Sequence, residues 1–141
     1  MLPRLSIGLE WNPLADEVGP LANLIAVFEG VHRPSVMVGV SSDRIGTPSG
    51  TAYFLTVAKD LESVVGWPIA PYVGASYGTF DDELRAIGGL RARLGRSVAI
   101  QAIYDGVNLH PSVEVNLSGN QTVSFIWVDT EMFGVAYSLA F

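Results

Sequence analysis

The segment Glu131-Met-Phe-Gly-Val-Ala-Tyr-Ser-Leu-Ala-Phe141 decides how the rest of the chain is read. At a strand's period of two it places Phe133, Val135, Tyr137, Leu139 and Phe141 on one face and Met132, Gly134, Ala136, Ser138 and Ala140 on the other. A soluble strand turns a bulky apolar face to a core and a polar face to water. Here neither face carries a charge between Met132 and Phe141, and the second face is made almost wholly of small residues. Small residues suit a crowded barrel interior and bulky apolar ones suit lipid, so the pattern predicts a membrane-spanning strand with Phe133, Val135, Tyr137, Leu139 and Phe141 facing outward.

Working back from this strand, nine further segments of strand length alternate in the same way. Leu5, Ile7, Leu9 and Trp11 oppose Ser6, Gly8, Glu10 and Asn12; Val113, Val115 and Leu117 oppose Ser112, Glu114 and Asn116. The second segment, Asn23–Gly30, sets Leu24, Ala26 and Phe28 against Ile25, Val27 and Glu29, and the fourth, Thr51–Asp60, leaves Phe54 on the inner face. Between segments stand turn formers such as Gly119-Asn120 and Asp105-Gly106-Val107-Asn108, with longer links at Pro13–Ala22 and Arg44–Gly50 and a turn at Asp129–Glu131. The stretch Leu61–Pro68 reads as an interfacial turn or a short helix. Helical periodicity is nowhere sustained. The expected fold is all-β, an antiparallel up-and-down transmembrane barrel of about ten strands, with eight to twelve compatible with the pattern.

Composition agrees. The 141 residues make one domain, 1–141, that is 49 % apolar and 16 % charged, against about 25 % charged in ordinary soluble domains. Mean hydropathy is positive, yet no run of about 18 apolar residues supplies a spanning helix. The absence of cysteine excludes thiolate metal sites, thiol catalysis and disulfides. A net charge of −6 without a basic stripe argues against nucleic acid as a partner. No charged and apolar leader precedes the first strand, so the sequence reads as a mature form or as the C-terminal part of a longer protein.

If the apolar sets face lipid, the opposite faces gather Glu10, Glu29, Asp43, Arg85, Arg91, Arg93, Asp105 and Glu114 in the interior. Two arrangements of these charges are expected: pairing across the interior into a polar plug, or a narrow pore in which Arg91 and Arg93 favour anions. His32 and His110 lack partners at ligand spacing and read as rim residues, so neither a metal nor a cofactor is expected. Asp43, Asp105 and His110 are the nearest approach to a catalytic constellation, for an outer-membrane hydrolase or acyltransferase; the expectation is that the protein is not an enzyme. Trp11, Trp67, Trp127, Tyr53, Tyr72, Tyr77, Tyr104, Tyr137 and Phe141 fall toward segment ends, as aromatic girdles do.

The terminal segment resembles the C-terminal signature of bacterial outer-membrane β-barrels, in which a final aromatic residue closes a strand with apolar residues at every second position back. Phe133, Val135, Tyr137, Leu139 and Phe141 match it at each position. This resemblance implies residence in the bacterial outer membrane, contact with its lipids, and delivery to the barrel-assembly machinery through the last strand. A second likeness, to exopolysaccharide-associated outer-membrane barrels, rests on Gly88-Gly89, Tyr104-Asp105-Gly106 and Phe133–Phe141. It implies a place in polysaccharide export or envelope assembly, with another envelope protein or a second copy of the chain as partner. The competing reading is a soluble barrel of the lipocalin kind, with the apolar sets turned inward around an apolar ligand. Its exterior would then be serine, glycine and alanine, a poor surface for solubility.

Overall fold

A computed structural model describes residues 4–12, 16–43, 47–128 and 132–141. Ten antiparallel strands follow one another in chain order: β1 (Leu5–Asn12), β2 (Glu17–Val27), β3 (Ser35–Ser42), β4 (Thr51–Ala58), β5 (Ile69–Gly78), β6 (Glu83–Arg93), β7 (Val98–Tyr104), β8 (Leu109–Ser118), β9 (Gln121–Val128) and β10 (Met132–Ala140). Each pairs with its sequence neighbours, and β1 pairs with β10 from Ser6–Ala140 to Trp11–Val135, closing the barrel. Closure pairs the first strand with the last, so neither is left as a free edge of the sheet. Between β4 and β5 lies a single helical turn, α1 (Glu62–Val65), which ends at Gly66 in the left-handed conformation, φ 76°. The expected turn at Asp129–Glu131, and parts of the links Pro13–Ala22 and Arg44–Gly50, lie outside the described residues.

Sequence alternation carries over into two registers around the barrel. One links Leu9 to Tyr137, Val113 to Phe125 and Leu55 to Val38; the other links Gly8 to Ser138, Glu114 to Ser124 and Gly39 to Phe54. The bulky register faces outward and is unusually bare, with Leu84 73 %, Val73 67 % and Leu9 60 % exposed. The fully buried residues are the reverse of a soluble core. Among the described residues, Ala52, Ala99, Val128 and Ala136 are the buried apolar ones, against the polar Asp43, Thr47, Thr56, Asp105, His110 and Ser112.

Three local readings change. β2 begins at Glu17, well inside the stretch expected to be a loop, and runs through Pro20. The β2–β3 ladder stops at Ala22–Val40, so Pro20 lies in an extension paired with β1 at Leu9, where a missing N–H interrupts no partner on the β3 side. A bulge between Ile25 and Val27 sets Val27 opposite Val36, in the outward register. Tyr72 lies in the inward register of β5 and lines the interior, so it belongs to no girdle. Its ring is accommodated by Gly89, where a Cβ would come within 2.6 Å of Tyr72 Cε1; Phe54 lies over Gly39 in the same manner, with 2.4 Å to Cζ. Paired glycines thus let two aromatic rings lie flat along the inner wall.

Candidate functional site: the interior cavity and its two mouths

Call the end holding Leu5 and Ala140 the terminal end. Charges within the barrel are distributed along its axis. Among the described residues near the terminal end, Arg4, Arg33, Lys59, Arg93 and Arg96 outnumber Glu29, Asp60 and Glu62. At the opposite end, among the described residues, Arg85 stands against Asp16, Glu17, Asp43, Asp81, Asp82, Glu83 and Asp105. One mouth is therefore strongly acidic and the other mildly basic.

Between them lies a cavity of about 590 Å³, adjoined at the acidic end by a smaller one of about 130 Å³ that shares Ser41, Asp43, Phe54 and Tyr72 with it. It extends from Asn12 and Asp43 near one end to Ala58, Asn116 and Ser138 near the other. Ten strands make a barrel only somewhat wider than the eight-stranded kind that side chains can fill. Small inward residues such as Ser124, Ala136 and Ser138 leave the additional space open.

The eight expected interior charges divide into three groups. Glu10, Asp43, Arg91 and Glu114 line the main cavity. There Arg91 Nε donates to Glu114 Oε2 at 2.7 Å, bridging β6 to β8 across β7. Glu10 accepts the Ser42 backbone N–H, reaching over Gly19, its register partner, which has no side chain to obstruct it. Asp43 Oδ2 accepts the Phe80 N–H at 2.7 Å. At the acidic mouth Arg85 is held by Asp81 at 3.0 Å and Glu83 at 2.5 Å, while Asp82 accepts the Tyr77 hydroxyl. At the terminal rim Glu29 takes Lys59 at 2.6 Å, and Arg93 takes Asp60 at 3.2 Å and also Glu62 of α1. Arg91 and Arg93 share a register but not a place: one sits on the cavity wall, the other at the rim, and each meets carboxylates.

Of the trio Asp43, Asp105 and His110, the structure brings Asp105 and His110 together, Nε2 to Oδ2 at 3.0 Å, while Asp43 is anchored elsewhere. His110 is not a rim residue; it is 1 % exposed. Its Nδ1 faces the Trp127 carbonyl at 3.3 Å, so both ring nitrogens are engaged by oxygens and neither is presented to a nucleophile. The other Asp105 oxygen accepts the N–H groups of Val107 and Asn108 at 2.8 and 2.7 Å. The pair is therefore a clasp that holds the 105–108 turn against β8. Replacing His110 with alanine empties a buried volume and strips a buried carboxylate of its side-chain partner; a loss of about 2–4 kcal/mol is expected in denaturant titration of the folded barrel.

Sequence reasoning missed the apolar part of this wall. Leu21, Ile87, Ile103 and Ile126 lie in the inward register and line the cavity together with Met37 and Phe54. Once strand phase is fixed they are visible as large residues on a face otherwise small or polar. Among the described residues, no group of three His, Cys, Asp or Glu is arranged to hold a metal ion. What fold and interior define is a closed ten-stranded antiparallel β-barrel around a polar-apolar cavity. No model of a known protein family matches the chain. No curated protein sequence matches it either.

Proposed function

We propose that the protein is an integral outer-membrane β-barrel, held by lipid on its outside, whose narrow interior admits small solutes. The observation that carries this reading is the sign of the two registers. All seven charged strand residues, Glu10, Glu17, Glu83, Arg85, Arg91, Arg93 and Glu114, pair with glycine, alanine or polar neighbours, and none falls in the register of the bulky apolar side chains. An uncharged, predominantly apolar exterior of this extent is unfavourable in water and favourable in hydrocarbon. Strands of eight residues, tilted as barrel strands usually are, rise roughly 20 Å, close to the apolar band of such proteins. Aromatic side chains favour the strand ends at the acidic mouth, where Trp11, Tyr53, Tyr77, Tyr104 and Trp127 are exposed; Trp67 and Phe141 are exposed at the terminal end. The final strand, with its terminal aromatic, is the segment through which the barrel-assembly machinery would take up the chain.

The competing reading, a soluble lipocalin-like carrier, draws its support from the cavity of about 590 Å³. Electrophoresis of detergent-folded protein with and without boiling, beside fractionation of cells expressing it, separates the two. Faster migration of the unboiled sample together with recovery in the membrane fraction is the expected result. Recovery in the soluble fraction without detergent would defeat the membrane reading and favour the carrier.

A further inference from the structure

The wall of the cavity has a charge, a polarity and an entrance that together describe an occupant. Glu10, Asp43 and Glu114 line the main chamber, and Asp81, Glu83 and Asp105 line the adjoining one, against Arg91 and Arg85. Both arginines are already taken, Arg91 by Glu114 and Arg85 by Asp81 and Glu83. Glu10, by contrast, accepts the Ser42 backbone N–H and takes part in no ion pair among the described residues. An anion entering this chamber would therefore find Arg91 and Arg85 both engaged, whereas a cation would find in Glu10 a carboxylate with no ion-pair partner among the described residues.

The rest of the wall distinguishes an organic cation from an inorganic one. Leu21, Met37, Phe54, Ile87, Ile103 and Ile126 form an apolar lining that offers nothing to a hydrated metal ion. Phe54 and Tyr72 lie along the wall over Gly39 and Gly89, so aromatic surface borders the same space as the carboxylates. Aromatic surface and carboxylate together are the chemistry that recognises alkylammonium groups on an apolar body. The acidic mouth supplies the approach, because its field concentrates cations there and the mildly basic rim at the terminal end does not.

We propose that the interior cavity is a binding site for a small organic cation, an ammonium carried on an apolar or aromatic body, entered from the acidic end. The site concerns the inner wall alone and stands whichever medium surrounds the barrel. Its test is a titration of folded protein in an uncharged maltoside detergent with benzyltrimethylammonium, and in parallel with benzenesulfonate and benzyl alcohol, followed by calorimetry. The cation is expected to bind about tenfold or more tightly than the anion or the alcohol, and less tightly as salt is raised. Glu10→Gln, which keeps an oxygen for the Ser42 N–H, should weaken the cation about fivefold or more with the unboiled migration unchanged. Asn116→Asp, isosteric and still able to accept the Thr122 hydroxyl at 2.9 Å, should tighten it. Equal binding of anion and cation, or indifference to both substitutions in protein that retains its folded migration, would overturn the proposal. Failure of the wild-type chain to fold in detergent would instead count against the membrane reading.

Discussion

Arginine at Leu55 is expected to abolish folding into a bilayer while leaving the chain's local strand preference intact. Leu55 lies mid-strand in β4, paired with Val38 and Ala75 in the outward register, and is 47 % exposed. Under the membrane reading its neighbours outside are acyl chains, and a guanidinium at that depth costs about 2–4 kcal/mol. Lysine at Ser124 is the matched substitution on the inner wall. Ser124 pairs with Glu114 and Ala136 and lines the cavity, so the new ammonium meets a carboxylate across the ladder, and a change within about 1 kcal/mol is expected. Folding into lipid vesicles, followed by the unboiled migration across a urea series, measures both. In a water-soluble barrel the order reverses: Leu55→Arg would change stability by no more than about 0.5 kcal/mol, as surface substitutions do. That outcome would remove the membrane reading.

Valine at Gly8 should prevent the barrel from closing. Gly8 sits on β1 opposite Ser138 of β10, at the seam that joins the first strand to the last. A Cβ built there would stand 2.0 Å from the Tyr137 carbonyl oxygen and 2.8 Å from Ser138 Cα, both backbone atoms that no rotamer can withdraw. Relief requires the two strands to separate. Overpacking a tight interior costs about 1–3 kcal/mol where neighbours can adjust, and Gly8→Val should exceed that range because they cannot. Gly119→Ala serves as the contrast, since a Cβ at Gly119 meets nothing within 4 Å. The expected signature is a Gly8→Val protein that migrates identically boiled and unboiled, beside a Gly119→Ala protein that still shifts. A Gly8→Val barrel with normal migration would mean that the seam is looser than its geometry implies.

How much of this was legible in the sequence depends on the range over which each feature is determined. The up-and-down arrangement and the face of most strands follow from alternation within eight to eleven residues, which left the strand count between eight and twelve, and α1 occupies the one link, Leu61–Pro68, that read as a turn or a short helix. Phase failed where a single inserted residue or an unexpected ladder intervened: at the bulge that turns Val27 outward, and at the start of β2, which falls within the expected link Pro13–Ala22. In the interior, Arg91 and Arg93 looked equivalent because a period of two cannot say how far along the barrel axis a side chain meets its partner. Their carboxylates come from β8 in one case and from the β4–β5 link in the other. His110 was read as a rim residue because a strand start is normally exposed; the Trp127 carbonyl and Asp105 bury it.

The sequence by itself determined that the chain is a meander of about ten two-faced strands, eight to twelve fitting the pattern, with the bulky apolar face uncharged and the small face carrying the charge. Both properties are local, fixed by the alternation of side chains about an extended backbone. The tertiary structure alone decided the register at which β1 meets β10, which carboxylate receives each arginine, and that the inward residues leave about 590 Å³ unfilled with Glu10 on its wall, in no ion pair among the described residues. Those outcomes depend on strand stagger and barrel circumference, which arise only when residues more than twenty positions apart are brought into register by closure.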